Sequence, residues 1–199
     1  MKKKYSGDKI KKNIKGEKTM KRPSINELTL EEKIGQLLMV AQYPLLVKVV
    51  DGEEIPRTQD EIDEIMKKCQ FGSIWGQGGI RMKNVNLAEE TAGEKMTAAG
   101  YKKFLARLEK NLRIPFLVGM DCENGATLVE GGTSISGPLS IGAADDEKLT
   151  YDLAQSVAKE MRAAGGNWRW SPVVDMFNRF CGVSSGRTYS DNADKIIKH

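Results

Sequence analysis

The spacing of apolar residues divides this chain into helical and extended stretches. In "TLEEKIGQLLMVAQ", Thr29 is followed three residues on by Glu32, the form of a capping box. Ile34, Leu37, Leu38 and Val40–Ala41 then share one side of a predicted helix. The polar stretch that follows, to about Lys68, holds a second helix in "QDEIDEIMKKC". "FGSIWG" (71–76) is short, apolar and bounded by glycine, which predicts a buried strand. "AAGYKKFLARLEKNL" (98–112) is amphipathic, with Tyr101, Phe104, Leu105, Leu108 and Leu112 on one side. "FLVGM" after Pro115 reads as a strand, and "DDEKLTYDLAQSVAKEMRAAGG" as a helix with acids at its start and a glycine stop, as the helix dipole and C-cap sterics favour. "NWRWS" is a third strand, closed by Pro172, and "DNADKIIKH" opens a further helix.

An N-terminal helix followed by about three β-then-α units predicts an α/β fold with a parallel sheet and crossover helices. The units average 40 residues between Phe71 and Asp191. A closed barrel of eight such units would run to roughly residue 390. The expectation is therefore a partial TIM-type (β/α) barrel.

Charge changes the picture at one end. Residues 1–22 carry ten Lys/Arg against Asp8 and Glu17, a net of +8, so the remainder is −4 although the whole chain is +4. With one aromatic and no apolar helical stripe, this reads as a basic, disordered leader over 1–25, ahead of one domain over 26–199. It does not read as a nucleic-acid arm. No apolar run of signal-peptide type follows the lysines, and "LLMVAQYPLLVKVV" is interrupted by Gln42, Pro44 and Lys48, so no membrane span is expected. Cys69, Cys122 and Cys181 are odd in number and widely spaced, which suggests reduced thiols, a cytoplasmic setting and no zinc site. The sole histidine is His199, which argues against Ser-His-Asp chemistry within these residues. Cys122, between two acids, reads as packing rather than as a nucleophile.

The candidate chemistry lies in "FLVGMDCENGA" (116–126). On a strand Leu117, Gly119 and Asp121 face one way, and Phe116, Val118 and Met120 the other. If the chain stays extended, Glu123 follows Asp121 on that face at about 7 Å, within the range of glycosidase carboxyl pairs. Cleaving a glycosidic bond requires groups on opposite sides of it, however, and two neighbours on one strand approach from one side. A carboxylate at the C-terminal mouth of a parallel strand is well placed to accept hydrogen bonds from sugar hydroxyls. Acid/base work, substrate binding and plain solvation all stay open on this ground. Asp175 and Arg187 sit on consecutive loops, as a surface ion pair or with Arg187 poised over the strand mouths. Trp168 and Trp170 share a strand face, as core or as a sugar-stacking surface. "GQGGIR" has Arg81 where a dinucleotide fingerprint requires glycine, so a tight turn is the better reading and a doubly wound nucleotide-binding domain is disfavoured.

"LTLEEKIGQLLMV", "IPFLVGMDCENGA", "GGTSISGPLSIGAADDEKL", "AKEMRAAGGNWRWSPVVDM" and "SGRTYSDNAD" occur in the order and spacing found at the start of family 3 glycoside hydrolases. The chain resembles that family over about residues 28–199. The resemblance implies a (β/α)8-type first domain, release of β-linked glucose or N-acetylglucosamine with retention, and no metal or other cofactor. It implies that Asp121 binds hydroxyls of the sugar at the cleavage point and that Arg187 lines the same pocket. Glu123 and Asp175 complete the expected substrate-binding set. The D-x-E-x-G form of Asp121, Glu123 and Gly125 is nearer the N-acetylglucosaminidase branch. Two departures stand out: Ser136 where the family usually has proline, and Asp191-Asn192-Ala193 in place of an acid-Asp-Pro sequence. The family's Lys-His pair, nucleophilic aspartate and acid/base match none of the 199 residues, and Lys198-His199 comes too early to be that pair. The expectation is a partial sugar pocket without turnover, as part of a glycosidase or as a non-catalytic remnant. Its partner is a small carbohydrate, not nucleic acid or membrane, and open sheet edges at "FGSIWG", which begins the expected sheet, and "NWRWS", which ends it, favour self-association.

Overall fold

The computed structural model describes residues 22–76, 91–92, 95–182 and 186–199. The leader up to residue 21 and most of "GQGGIR" lie outside these residues. In chain order the elements begin with a 3-10 turn at Ile25–Glu27, α1 at Leu30–Gln36, β1 at Met39–Ala41 and α2 at Gln42–Leu46. The hairpin β2 (Val47–Val50) and β3 (Glu53–Pro56) leads to α3 (Gln59–Cys69) and β4 (Ser73–Trp75). A small antiparallel pair, β5 (Thr91–Ala92) and β6 (Lys95–Met96), precedes α4 (Ala98–Glu109) and β7 (Leu117–Met120). Then come α5 (Pro138–Ala144), α6 (Glu147–Ala163), β8 (Trp168–Arg169) and α7 (Ala193–Lys198).

The expected parallel sheet is present, with one strand more than the apolar pattern predicts: β1, β4, β7 and β8 lie side by side in that order, all parallel. The extra strand comes from the first predicted helix. Its capping box forms, with Thr29 Oγ1 accepting from the Glu32 amide, but the helix stops at Gln36 and Met39–Ala41 pairs with Ser73–Trp75. A short apolar run fits a helix face or a buried strand equally well by periodicity. The strand partner, 34 residues further on, decides. "FGSIWG" is consequently an interior strand, not the edge of the sheet. The β2–β3 hairpin and α5 add to the predicted elements.

Register sets two unlike faces. Val40, Ile74, Val118 and Met120 point to one side, where α3, α4 and α6 cover them with Ile62, Met66, Tyr101, Phe104, Leu105, Leu108, Val157 and Met161. This is the main core. Each helix lays its apolar stripe on it, as the spacing predicts for α4. The other face carries Met39, Ser73, Trp75, Leu117, Gly119 and Trp168. Here Met39, Trp75, Leu117 and Trp168 remain 47%, 37%, 50% and 41% exposed. Gln70, in the left-handed turn that ends α3, ties the sheet's N-terminal end together: its amide nitrogen donates to the Asn111 carbonyl and its oxygen accepts from the Arg113 amide. Among the described residues no helix is long and apolar enough to cross a membrane.

Candidate functional site

The site forms where β7 ends. Val118 and Met120 anchor the strand in the core, so Asp121 leaves it on the uncovered face, at the C-terminal end of the parallel strands. Cys122 turns inward and is buried. Burial, reinforced by Asp121 and Glu123 and opposed by Arg169, pushes its thiol up to about 11. A neutral thiol at that depth packs and does not attack, in keeping with the reading from its acidic neighbours.

Beyond Cys122 the chain turns instead of staying extended, so Glu123 does not continue the strand face with Asp121. Gly125 makes the fold-back possible: its φ is +103°, and a Cβ there would lie 2.1 Å from the Thr133 carbonyl oxygen. The returning loop is stitched by the Ala126 amide donating to Thr133 O at 3.0 Å and the Ile135 amide to Asn124 O at 3.0 Å. Glu160 of α6 holds it from outside, accepting from the Thr133 amide at 2.7 Å and hydroxyl at 2.6 Å. Those bonds keep the Glu160 carboxyl below the usual range.

This stitched loop delivers Glu123 to Arg187. The guanidinium donates from Nε to Oε2 at 3.0 Å and from Nη2 to Oε1 at 2.5 Å, a two-point grip. Glu123 is 10% exposed and Arg187 44%. The Glu123 carboxylate, with a smaller contribution from Asp121, raises Arg187 further above its ordinary value. Asp121, Glu123 and Arg187 are thus neighbours although 66 positions (187 − 121) separate the first from the last. The loop bearing Arg187 is held to the loop after β8 by the Val173–Thr188 bridge and by the Phe177 amide donating to Ser190 O at 2.8 Å.

Asp175 goes elsewhere. It is exposed and lines an open cavity of about 540 Å³ with Asn178, Arg179, Phe180 and Asp191, and among the described residues no ion pair joins it to Arg187. The suggested Asp175–Arg187 pair is replaced by Glu123–Arg187, because the fold-back at Gly125 brings the carboxylate of another loop closer.

One neighbour of Asp121 is not legible from spacing. Trp75, at the C-terminal end of β4, donates its indole Nε1–H to Asp121 Oδ2 at 3.2 Å. Trp170 lies 5.8 Å from Trp75, tilted by 42°, and 5.4 Å from Trp168, edge on. It covers Gly119, where a Cβ would meet its ring at 2.4 Å. The Trp168–Trp170 pair is visible in the sequence as i, i+2 on a strand; Trp75 joins it only through the β4–β7 register. Among the described residues no three His, Cys, Asp or Glu side chains gather as metal ligands would.

The chain as a whole has counterparts among known proteins. The chain is 28% identical over 103 residues to a beta-N-acetylglucosaminidase/beta-glucosidase of Cellulomonas fimi, covering 51% of this chain and 18% of that protein. The glycoside hydrolase family 3 beta-N-acetylglucosaminidase from Paenibacillus sp. str. FPU-7 superposes with a TM-score of 0.63 at 27% identity, over 86% of this chain and 29% of that one. An exo-1,3/1,4-beta-glucanase from a Pseudoalteromonas species shares the fold, with a TM-score of 0.64 at 22% identity, over 87% of this chain and 20% of its own. The chain thus spans less than a third of these relatives. Residues 29–198 match the glycosyl hydrolase family 3 N-terminal domain, and the chain belongs to that family.

Proposed function

We propose that residues 26–199 form part of the sugar pocket of a retaining β-glycosidase acting on terminal β-linked N-acetylglucosamine or glucose. Asp121 accepts hydrogen bonds from sugar hydroxyls, Arg187 lines the same pocket, and Glu123 sets its mouth. Asp175, on the neighbouring loop, contributes at the periphery. The observation that carries this reading is the convergence of Asp121 and the Glu123–Arg187 pair at one end of the parallel sheet. The similarity to the Paenibacillus beta-N-acetylglucosaminidase and the D-x-E-x-G form favour N-acetylglucosamine over glucose.

A retaining mechanism needs a nucleophilic carboxylate and an acid/base carboxyl flanking the bond. The family's pattern matches neither to any of these 199 residues, so the chain by itself should bind without turnover. Purified chain is assayed with chromogenic β-N-acetylglucosaminide and β-glucoside and titrated with the free sugars. Weak binding, in roughly the millimolar range, lost in Asp121→Asn and without release of chromophore, is the expected result. Turnover abolished by Asp121→Asn or Glu123→Gln would overturn the assignment and make the two acids the catalytic pair.

The cysteines, which form no disulfide among the described residues, support a cytoplasmic setting. The outer strands β1 and β8 each offer an edge to another strand, and the apolar uncovered face adjoins both. Self-association through these edges follows, and sedimentation over a range of concentrations tests it. A monomer at high concentration would refute it.

A further inference from the structure

A carboxylate that binds a hydroxyl must present one oxygen in a fixed direction. Asp121 sits one residue beyond its strand, partly exposed, and the nearby guanidinium of Arg187 is gripped by Glu123. The side chain that donates to Asp121 among the described residues is Trp75. Indole is a donor only, so the bond has one sense: Oδ2 accepts it, and among the described residues no side chain donates to Oδ1.

The register makes this contact reproducible. Trp75 stands opposite Gly119 in the β4–β7 pair, and the next amide, Gly76 N, donates to Gly119 O at 2.7 Å. The row across the sheet reads Ala41, Trp75, Gly119, Trp168, small and large in alternation. With no side chain at Gly119, Trp170 settles over β7 and packs against Trp75, which backs the ring that reaches Asp121. Trp75 stays 37% exposed although it is bonded to the carboxylate.

We propose that Trp75 is the positioning residue for Asp121: its N–H fixes Oδ2, which aims Oδ1 at one hydroxyl, while its ring offers a face for the C–H side of the same pyranose. The role in sugar recognition rests on the reading of Asp121 as a sugar ligand; the orienting bond does not.

The chain has three tryptophans, so its amide spectrum holds three indole N–H resonances, and Trp75→Phe assigns one by deleting it while keeping a ring against Trp170. Asp121→Ala should move that resonance upfield and leave the other two in place. Glu123→Gln, which removes a nearby charge but not the acceptor, should leave all three. In titrations with N-acetylglucosamine, Trp75→Phe should weaken binding roughly tenfold, as loss of a bond to a charged group does, and Trp168→Phe less than about twofold. An unmoved Trp75 resonance in Asp121→Ala overturns the orienting role even if sugar still binds. A moved resonance in a chain that binds no sugar keeps the orienting bond and sinks the sugar pocket.

Discussion

The two faces of the sheet are made by the same four strands, yet they obey different rules. On the helix-covered face Ile74, Val118 and Met120 are almost wholly buried, in one cluster with apolar residues of α3, α4 and α6. On the other face Met39, Trp75, Leu117 and Trp168 are between about a third and a half exposed, and Asp121 stands among indoles rather than aliphatics. Alternation along a strand places neighbours on opposite faces, so core residues and candidate site residues are adjacent in the sequence. The covered face carries the fold; the uncovered one is free to carry chemistry.

Neighbouring substitutions should separate these roles most sharply. Ile74→Ala, at a fully buried site, should cost about 2–5 kcal/mol, the range for deleting a large core side chain. Leu117→Ala, half exposed, should cost less than about 1 kcal/mol, since the burial it loses is partial. Urea midpoints measure both, and similar losses would mean that the uncovered face is packed in solution.

Gly119→Ala tests a place where the uncovered face is tightly filled. The added methyl would meet the Trp170 ring at 2.4 Å. A cost of about 1–3 kcal/mol is expected for such overpacking, with a change in tryptophan emission as the ring is displaced. An unchanged spectrum would show that Trp170 does not rest on β7.

A pH experiment addresses the covered side of the site. Cys122 loses its proton near 9.0 when its environment is water-like and near 11 when buried. The unfolded chain therefore binds fewer protons between these values, so the contribution of Cys122 is complete below about pH 9 and falls as pH rises to about 11. Comparing stability of wild type and Cys122→Ala across that window isolates it: the wild type should decline more steeply. Thiol labelling gives an independent check, with exposed Cys181 reacting well before Cys122.

The smallest effect on stability is expected for Glu123→Gln. Arg187 is 44% exposed, so its ion pair contributes below about 1 kcal/mol after solvent screening. If the pair serves to hold the arginine for a ligand, sugar affinity should fall by much more than the melting temperature suggests. Parallel losses would make it a structural clamp.

Periodicity finds α4 because its apolar stripe repeats over three turns, a signal that survives without knowledge of any partner. It fails at Leu37–Ala41 because so short an apolar run carries no period, and its strand character exists only beside Ser73–Trp75. The capping pairs Thr29–Glu32 and Thr58–Glu61 are local enough to be set by the sequence alone, and both form.

The sequence by itself determined the parallel α/β class, the family motifs, the buried thiol of Cys122 and the identity of Asp121 and Arg187 as candidates, since each depends on neighbours within a few positions or on motif order. Only the tertiary structure decided that β1 heads the sheet, that Arg187 grips Glu123 rather than Asp175, and that Trp75 holds Asp121. Those outcomes depend on strand register and on loops meeting across 34 to 64 positions, and no local energy along the chain records where such distant groups meet.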